Sequence, residues 1–591
     1  MCQRSLRAVY RPALVTGDSR SGAANPDDFL SRGIGACIRM GCAPDLDWSI
    51  DACPVDHVAR GVVRFAASQS GNNGDVLHFQ HPRPRHWREL VLWMRLRGYP
   101  VRLVSYRDWL RQLEHTAGAA EHPLHALLGF FRARVKGLTL PETYLGSRRS
   151  RVNDEWTRAT MTGLGVTCPT LDALWLERFF ASLTTHGLIS PILGNGRQAR
   201  EASRDASTDE LPALMRLYFD DPELLVRPAG PAERLSEQSI LTELTSWQHG
   251  AALGLFRQPI ELISSRESVP RLLQVVVKIK TEDQNLLNVI VAAVGDRAIA
   301  EAFDRWRGCL GFAGGHLREI ALYGQRDDRW HRFTPIAYGA MWDEERRRGL
   351  IVLEDLSENT WMDSGTGTDI WPAAWVEAAV RGLAELHSIW FERRAELSAQ
   401  PWLGSVFSAA RMGEMAELWA ALAAHAARFF VPWLGSEARH VQHRLLSRLE
   451  DWWRPLEQMP HTLIHNDCNP RNLAIRRDES GPRLCAFDWE LATSAVPQHD
   501  LAELLCFVLP INCSRQTVQH YLDLHRNALE AATNCRISAD DWNHGFGLAL
   551  ADLFINRWAM YTLVHSVRRQ PFLERVLHTW RTLYAYYDPL K

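Results

Sequence analysis

The eleven cysteines include no Cys-x-x-Cys pair and follow no regular spacing, which argues against a disulfide framework and for reduced thiols in a cytoplasmic protein. No apolar run approaches the roughly 20 residues of a membrane span. The opening MCQRSLRAVYRPALV lacks the basic, apolar, small-residue order of a signal peptide. Neither sign of charge dominates: 67 basic residues stand against 69 acidic ones, so electrostatics gives no reason to expect a nucleic-acid partner. The 23 tryptophans are dispersed and form no repeat. What remains is a chain of 591 residues with an ordinary 46% hydrophobic content, enough for roughly two to four globular domains.

The stretch from Thr462 to Glu490, TLIHNDCNPRNLAIRRDESGPRLCAFDWE, carries the densest chemistry. It reads as a short strand (Leu463, Ile464), a polar loop with His465, Asp467 and Asn472, and a second apolar piece (Leu473 to Ile475). A turn at Ser480, Gly481 and Pro482 follows, and a third strand, Leu484 to Phe487, delivers Asp488. Two carboxylates and an amide are thus expected at the ends of buried strands, where rigid backbone aims them. An Asp, an Asn five positions on and a later Asp at a strand end are what phosphoryl transfer from ATP requires: one carboxylate for the attacking hydroxyl, the other two groups for Mg2+.

Periodicity makes the first block mixed α/β. Leu6 to Val15 opens with a strand-like run and Phe29 to Met40 suits a helix. VDHVARGVVRFAAS spaces Val55, Val58, Val62, Val63 and Ala66 as one helical face, and Val76 to Phe79 is a short strand. HPRPRHWRELVLWMRLRGYPVRLVSYRDWLRQL then reads helix, Gly-Pro turn, strand, helix.

Three segments of this block, YRPALVTGDSRSGAANPDDFLSRGIGACIRMGCAPD, CPVDHVARGVV and LHFQHPRPRHWRELVLWMRLRGYPV, resemble the carboxy-terminal half of thioester reductase domains. VTCPTLDALWLERFFASLTTHGLI resembles that family's closing helix. The resemblance covers residues 5 to 190 and implies a partial Rossmann-type α/β reductase domain of the extended short-chain dehydrogenase kind, over residues 1–193. That family's cofactor half carries a glycine-rich phosphate turn and a Tyr-x-x-x-Lys pair, and neither occurs in residues 1 to 190. The block is therefore expected to be catalytically silent unless the other half is supplied from elsewhere.

Residues 194–212, GNGRQAREASRDASTDELP, have a linker composition. Beyond them LGLFRQPIELI and RLLQVVVKIK are β-rich runs expected to pair antiparallel. AIAEAFDRWRG and GGHLREIALYG are helical, and FTPIAYG and GLIVLEDL are strands. Residues 369 to 591 are mostly helical, with a strong stripe through Trp375, Val376, Ala379, Val380, Leu383, Leu386, His387 and Trp390.

Several of these motifs, in order, resemble the aminoglycoside phosphotransferase and choline kinase superfamily of small-molecule kinases. The resemblance implies an α+β protein-kinase-like two-lobed fold, with an N-lobe at 213–356 and a helical C-lobe at 357–591. It makes Asp467, in His-Asn-Asp-Cys-Asn-Pro-Arg-Asn, the catalytic residue that orients the acceptor hydroxyl, and Asn472 and Asp488 the Mg2+ ligands. Glu490 is a further candidate beside the metal. Lys278 in VVVKIK matches the lysine that contacts the ATP phosphates; Lys280 shares its strand face and stays open as the alternative. Glu319 fits the glutamate that pairs with that lysine. Glu354 and Leu356 lie in the hinge whose backbone reads adenine, and Gly250 and Gly254 lie where a phosphate-covering loop belongs. His465 is expected to support the loop, Asp500 to cap a helix or brace the loop, and His387 to pack in the core.

The expected activity is ATP-dependent phosphorylation of a hydroxyl on a small molecule of the aminoglycoside or choline kind. The acceptor itself is not readable. Trp402, Trp419, Trp433, Trp452 and Trp453 fit either a binding pocket or the core. Two other readings stand beside it: a catalytically impaired kinase-like binding module, and a metal-dependent hydrolase using His465, Asp467, Asp488 and His499. The hydrolase reading leaves Lys278, Glu319 and the hinge unexplained.

Overall fold

The computed structural model describes residues 8–68, 75–118, 121–143, 152–191, 210–235, 253–266, 269–281, 284–357, 360–362, 370–478 and 481–591. Of the expected linker, residues 194–209 lie outside this set, as do Gly250 and Ser480. The chain forms two compact units: the described residues up to 191 belong to the first, and nearly all of those from 210 onward to the second.

In the first unit three strand pairs run parallel, and two short ones, Ser49–Ile50 with Arg85–His86 and Arg134–Val135 with Leu138–Thr139, run antiparallel. Val9–Pro12 lies beside Val76–Phe79, Leu14–Thr16 beside Ala52–Pro54, and Cys42–Pro44 beside Arg102–Val104. Parallel neighbours need crossover connections, and helices Phe29–Met40 and Val55–Ala67 lie within them. Asp28 starts the first of these helices by accepting a hydrogen bond from the Ser31 amide. Elements expected at Phe29 to Met40 and Val76 to Phe79 occur with those limits.

The helix Val55–Ala67 forms, but only part of the expected apolar face turns inward: Val58 and Val62 pack against the core. Val55 and Val63 are 43% and 65% exposed, while His57, Gly61 and Phe65 face inward. The cause is a close approach at Gly61, where an added Cβ would stand 2.4 Å from Cε1 of Phe79. The Phe79 ring fills the space that the glycine leaves, and this turns the His57–Gly61–Phe65 face toward the core.

The second unit opens with helix Leu211–Tyr218, whose first two residues fall inside the expected linker; Leu211, Leu214 and Met215 pack into the N-lobe core. The sheet beside it runs in the order Leu225–Pro228, Gly254–Ile263, Arg271–Lys280, Arg348–Glu354, Ala337–Asp343, with every neighbour antiparallel. Period-two alternation sends Val275, Val277 and Ile279 into the core. Lys278 therefore stands on the opposite face, as does Lys280.

In the helical lobe, Ala373–Ser388 buries Val376, Ala379, Val380, Leu383, Leu386 and His387 of the expected stripe, while Trp375 is half-buried and Trp390 is buried just past the helix end. Strand Thr462–Ile464 pairs with Thr493–Ala495, and Leu473–Asp478 pairs with Gly481–Ala486. Asp478 sits opposite Gly481, so Gly481 and Pro482 belong to the strand and not to the turn that their chemistry suggested. Trp419, Trp452 and Trp453 are core residues. The indoles of Trp452 and Trp453 donate to the Leu445 carbonyl and to Asp552, each at 2.9 Å. Among the described residues no helix is long and apolar enough to cross a membrane.

Candidate active site

Lys278 and Lys280 leave the sheet on one face and meet the helix Gly315–Tyr323, which supplies Glu319. Lys278 Nζ contacts both carboxylate oxygens of Glu319 at 2.8 Å and Asp488 Oδ1 at 2.7 Å. Lys280 Nζ contacts Glu319 Oε2 at 3.0 Å and Glu490 Oε2 at 2.6 Å. Both lysines are therefore in the site, each holding a different acid of the Asp-Trp-Glu segment. Glu319 is fully buried, and Asp488 is 36% exposed.

The mutual fields decide the charge states. Burial works against the Lys278 ammonium, but Asp488 and Glu319 outweigh it and hold its pKa above the ordinary lysine value. Burial likewise opposes the Glu319 carboxylate, and Lys278 and Lys280 bring its pKa below the usual value. Arg318, also buried, donates to the carbonyls of Gly311 and Glu490, and so ties this helix's entry to the Asp-Trp-Glu segment. Sequence reasoning passed over Arg318.

Asp488 adopts a left-handed backbone, φ 65° and ψ 59°, and Asn466 in the polar loop has φ 59°. Asparagine and aspartate enter the left-handed region more readily than other residues with a Cβ, because their short polar side chains bond locally. Backbone of this kind gathers where a side chain must be aimed.

The polar loop is anchored on three sides. Asp500 accepts the backbone amides of His465 and Asn466 at 2.6 and 2.8 Å, and His387 Nε2 meets it at 3.1 Å. Asp500 therefore braces the loop and does not cap its own helix. His465 Nε2 donates to the Phe487 carbonyl at 2.9 Å, and the Phe487 amide donates to the Asn472 carbonyl at 3.0 Å. Through Phe487 the loop is fastened to the residue just before Asp488. His499, a member of the hydrolase reading, is committed to Asp552 at 3.1 Å.

Asp467 accepts from Asn472 Nδ2 at 2.7 Å, Asn469 Nδ2 at 3.0 Å and the Tyr561 hydroxyl at 2.7 Å. Burial pushes its pKa up, while Arg471, Arg557 and the Tyr561 hydrogen bond bring it below the ordinary aspartate value. Arg471 and Asn469 lie inside the loop motif and were legible there. Tyr561, on helix Arg557–Val567, has no local signal to mark it.

Glu354 accepts from Arg476 and from the Ile336 amide, and its own amide donates to the Ile336 carbonyl at 2.9 Å. Asp355 is tied to Arg257 at 2.6 Å, and Leu356 packs with Ala474 and Cys485. Gly254 begins the strand beside Lys278 with φ 121°. Gly250 lies outside the described residues.

Glu319, Asp488 and Glu490 each present an oxygen within 4.8 Å of the others. Asn472 spends its amide N–H on Asp467, which leaves its side-chain carbonyl as a donor. The three carboxylates are an all-oxygen set that fits a hard divalent cation.

Residues 343–531 match the phosphotransferase enzyme family, and residues 2–62 match the male sterility protein family, an NAD-binding group. The chain is 31% identical over 175 residues to the L-2-aminoadipate reductase large subunit of Eremothecium gossypii, covering 29% of this chain and 13% of that protein. It is 36% identical over 144 residues to the aldehyde reductase lnaA of Aspergillus flavus, covering 23% of this chain and 14% of that protein. The chain thus spans less than a fifth of the length of these curated relatives. Among solved structures it is similar to the Plasmodium vivax ethanolamine kinase (10% identity, TM-score 0.32, 66% of this chain and 95% of that one). It is also similar to the terminal R domain of the myxalamid biosynthetic pathway (30% identity, TM-score 0.27, 31% and 44%). Residues 343–531 of this chain therefore carry a domain of the phosphotransferase enzyme family, preceded in sequence by an NAD-binding, reductase-like region.

Proposed function

We propose that the second unit transfers the γ-phosphate of ATP to a hydroxyl of a small molecule, of the aminoglycoside or choline kind. The observation that carries this reading is the Lys278–Glu319 ion pair at 2.8 Å, with Asp488 on the same ammonium at 2.7 Å. The family match supports the phosphotransferase class.

In this reading Lys278 neutralises the α and β phosphates, and Glu319 holds its ammonium in place. Lys280 holds Glu490. The carbonyl of Glu354 and the backbone of Leu356 receive adenine, because the Glu354 amide is already spent on the sheet. Gly254 opens the strand beside Lys278 and would let backbone approach the phosphates. Asn472 and Asp488, with Glu490, would hold Mg2+, which supplies positive charge against the phosphates when bound. Asp467, kept ionised by Arg471 and Arg557, orients the acceptor hydroxyl for in-line attack and takes its proton late. Little covalent work falls to the protein; positioning and charge do the rest.

The test is ATP turnover with Mg2+ against a panel of hydroxyl compounds, beside Asp467→Asn. The variant is expected to lose about 10²- to 10⁴-fold in kcat, the usual contribution of a positioned base. Turnover that survives the substitution would sink the mechanism.

A further inference from the structure

An ionised carboxylate offers about four lone-pair positions, two on each oxygen. At Asp467, Oδ1 receives the Tyr561 hydroxyl at 2.7 Å and Asn469 Nδ2 at 3.0 Å, while Oδ2 receives Asn472 Nδ2 at 2.7 Å. Three positions are filled, and the fourth lies on Oδ2. We infer that Tyr561 is a positioning residue for the proposed phosphoryl transfer: with Asn469 it saturates Oδ1 of Asp467, so that Oδ2 is the oxygen that takes the acceptor hydroxyl. This rests on the reading of Asp467 given above.

Two further sets of contacts support the assignment. The first concerns which way the donors point. Arg471 Nη2 donates to the Tyr561 hydroxyl oxygen at 2.8 Å, and Arg471 Nε donates to Asn469 Oδ1 at 2.8 Å. One guanidinium thus occupies the acceptor side of both partners and turns their N–H and O–H toward Asp467. The phenol has a single proton and two carboxylates in reach, Asp467 Oδ1 at 2.7 Å and Glu503 Oε1 at 3.2 Å; the shorter contact takes it. Burial and the neighbouring Asp467 charge raise the Tyr561 pKa well above its usual value, so the group stays a neutral donor.

The second concerns rigidity. The Arg471 guanidinium lies over the rings of Phe572, Tyr561 and Phe507, at 4.9, 5.2 and 5.9 Å from their centroids. Glu503 meanwhile accepts the Cys468 amide at 3.0 Å, next to Asp467 in the chain. Tyr561 is therefore clamped between a stacked cation and the loop that it orients, and a helix far away in sequence sets the rotamer of the reacting acid.

The test is Tyr561→Phe in the full chain, which removes the hydroxyl and keeps the ring under Arg471. The expected result is a loss of about 10- to 100-fold in kcat, as for a reacting group that is slightly misplaced, with KM for ATP and the melting temperature unchanged. In an Asp467→Asn background the same substitution is expected to have no further effect, because Tyr561 acts through Asp467. Tyr586→Phe, which removes a hydroxyl bonded to the Cys513 carbonyl at 3.1 Å, is the control. A Tyr561→Phe enzyme with wild-type kcat, beside an inactive Asp467→Asn, overturns this inference and leaves phosphoryl transfer standing. Undiminished losses in both backgrounds, or a lowered melting temperature with a raised KM for ATP, also overturn it and mark Tyr561 as structural. Turnover that survives Asp467→Asn overturns both readings.

Discussion

The two units spend their buried polar groups differently. In the first, many such side chains bind backbone, as Arg85 does the Leu171 carbonyl, Trp87 that of Pro44 and His81 that of Pro169, and others pair in twos, as Arg88 with Asp45 at 2.6 Å and His86 with Asp47 at 3.1 Å. Its carboxylates cap helices, as Asp28 and Asp172 do, or pair with arginines such as Arg32. In the second, side chains bind side chains across long separations: Lys278 to Asp488, 210 positions apart, and Tyr561 to Asp467, 94 apart. Polar groups satisfied singly against backbone hold a fold together. Groups that satisfy one another in a cluster also fix charges in relation to a common point, which a reaction needs.

Three experiments press on this contrast, the first with the largest expected effect. Glu319→Ala takes away the carboxylate shared by two buried lysines. Breaking a buried pair costs about 3–5 kcal/mol, and the lower end is expected because Lys278 keeps Asp488 and Lys280 keeps Glu490. Hydrogen exchange should show faster opening in peptides from the N-lobe sheet, with ATP turnover lost. Unchanged protection there would mean that the cluster is not the coupled unit described.

Gly61→Ala tests the other kind of construction. Its Cβ would press into the Phe79 ring, and overpacking of this kind costs about 1–3 kcal/mol. Protection should fall in peptides from the first unit while turnover is retained. A loss of turnover would show that the contrast between the units is drawn too sharply.

The smallest effect expected is at His525, which is buried in the helical lobe with Nε2 at 3.1 Å from His387 Nδ1. Burial, with His387 nearby, holds its pKa well below the ordinary histidine value. Below the unfolded value near ~6.5 the unfolded chain binds the proton and the folded chain does not. Stability is therefore full above that pH and falls as the pH drops, by up to about 1.4 kcal/mol per pH unit. Urea midpoints at neutral and mildly acidic pH should show this slope in the wild type and a shallower one in His525→Asn.

Much of the second unit was legible because its signals are local. VVVKIK is a strand by alternation, and one strand turn fixes both lysines on a face. The Asp, Asn and Asp of residues 467, 472 and 488 sit at the ends of apolar runs that became strands. Where the reading failed, the cause was not local. On Val55–Ala67 periodicity found Val58 and Val62 but missed Gly61, whose lack of a side chain admits the Phe79 ring, and it wrongly turned Val55 and Val63 inward. Gly481 and Pro482 looked like turn residues but joined the ladder, since pairing with Asp478 and Arg477 decided their place. Tyr561 carries no motif at all; its importance lies in where the chain brings it. Asp500 was left between two roles, and only the amides of His465 and Asn466 chose between them.

The left-handed backbone at Asp488 has a consequence for how this chain can change. Most side chains are barred from that region by their Cβ, so glycine, asparagine and aspartate are the residues the backbone admits there. Of these only aspartate also brings a negative charge to Lys278. A library sorted for folding alone should therefore draw from this short set at 488, and one sorted for phosphorylation should keep aspartate.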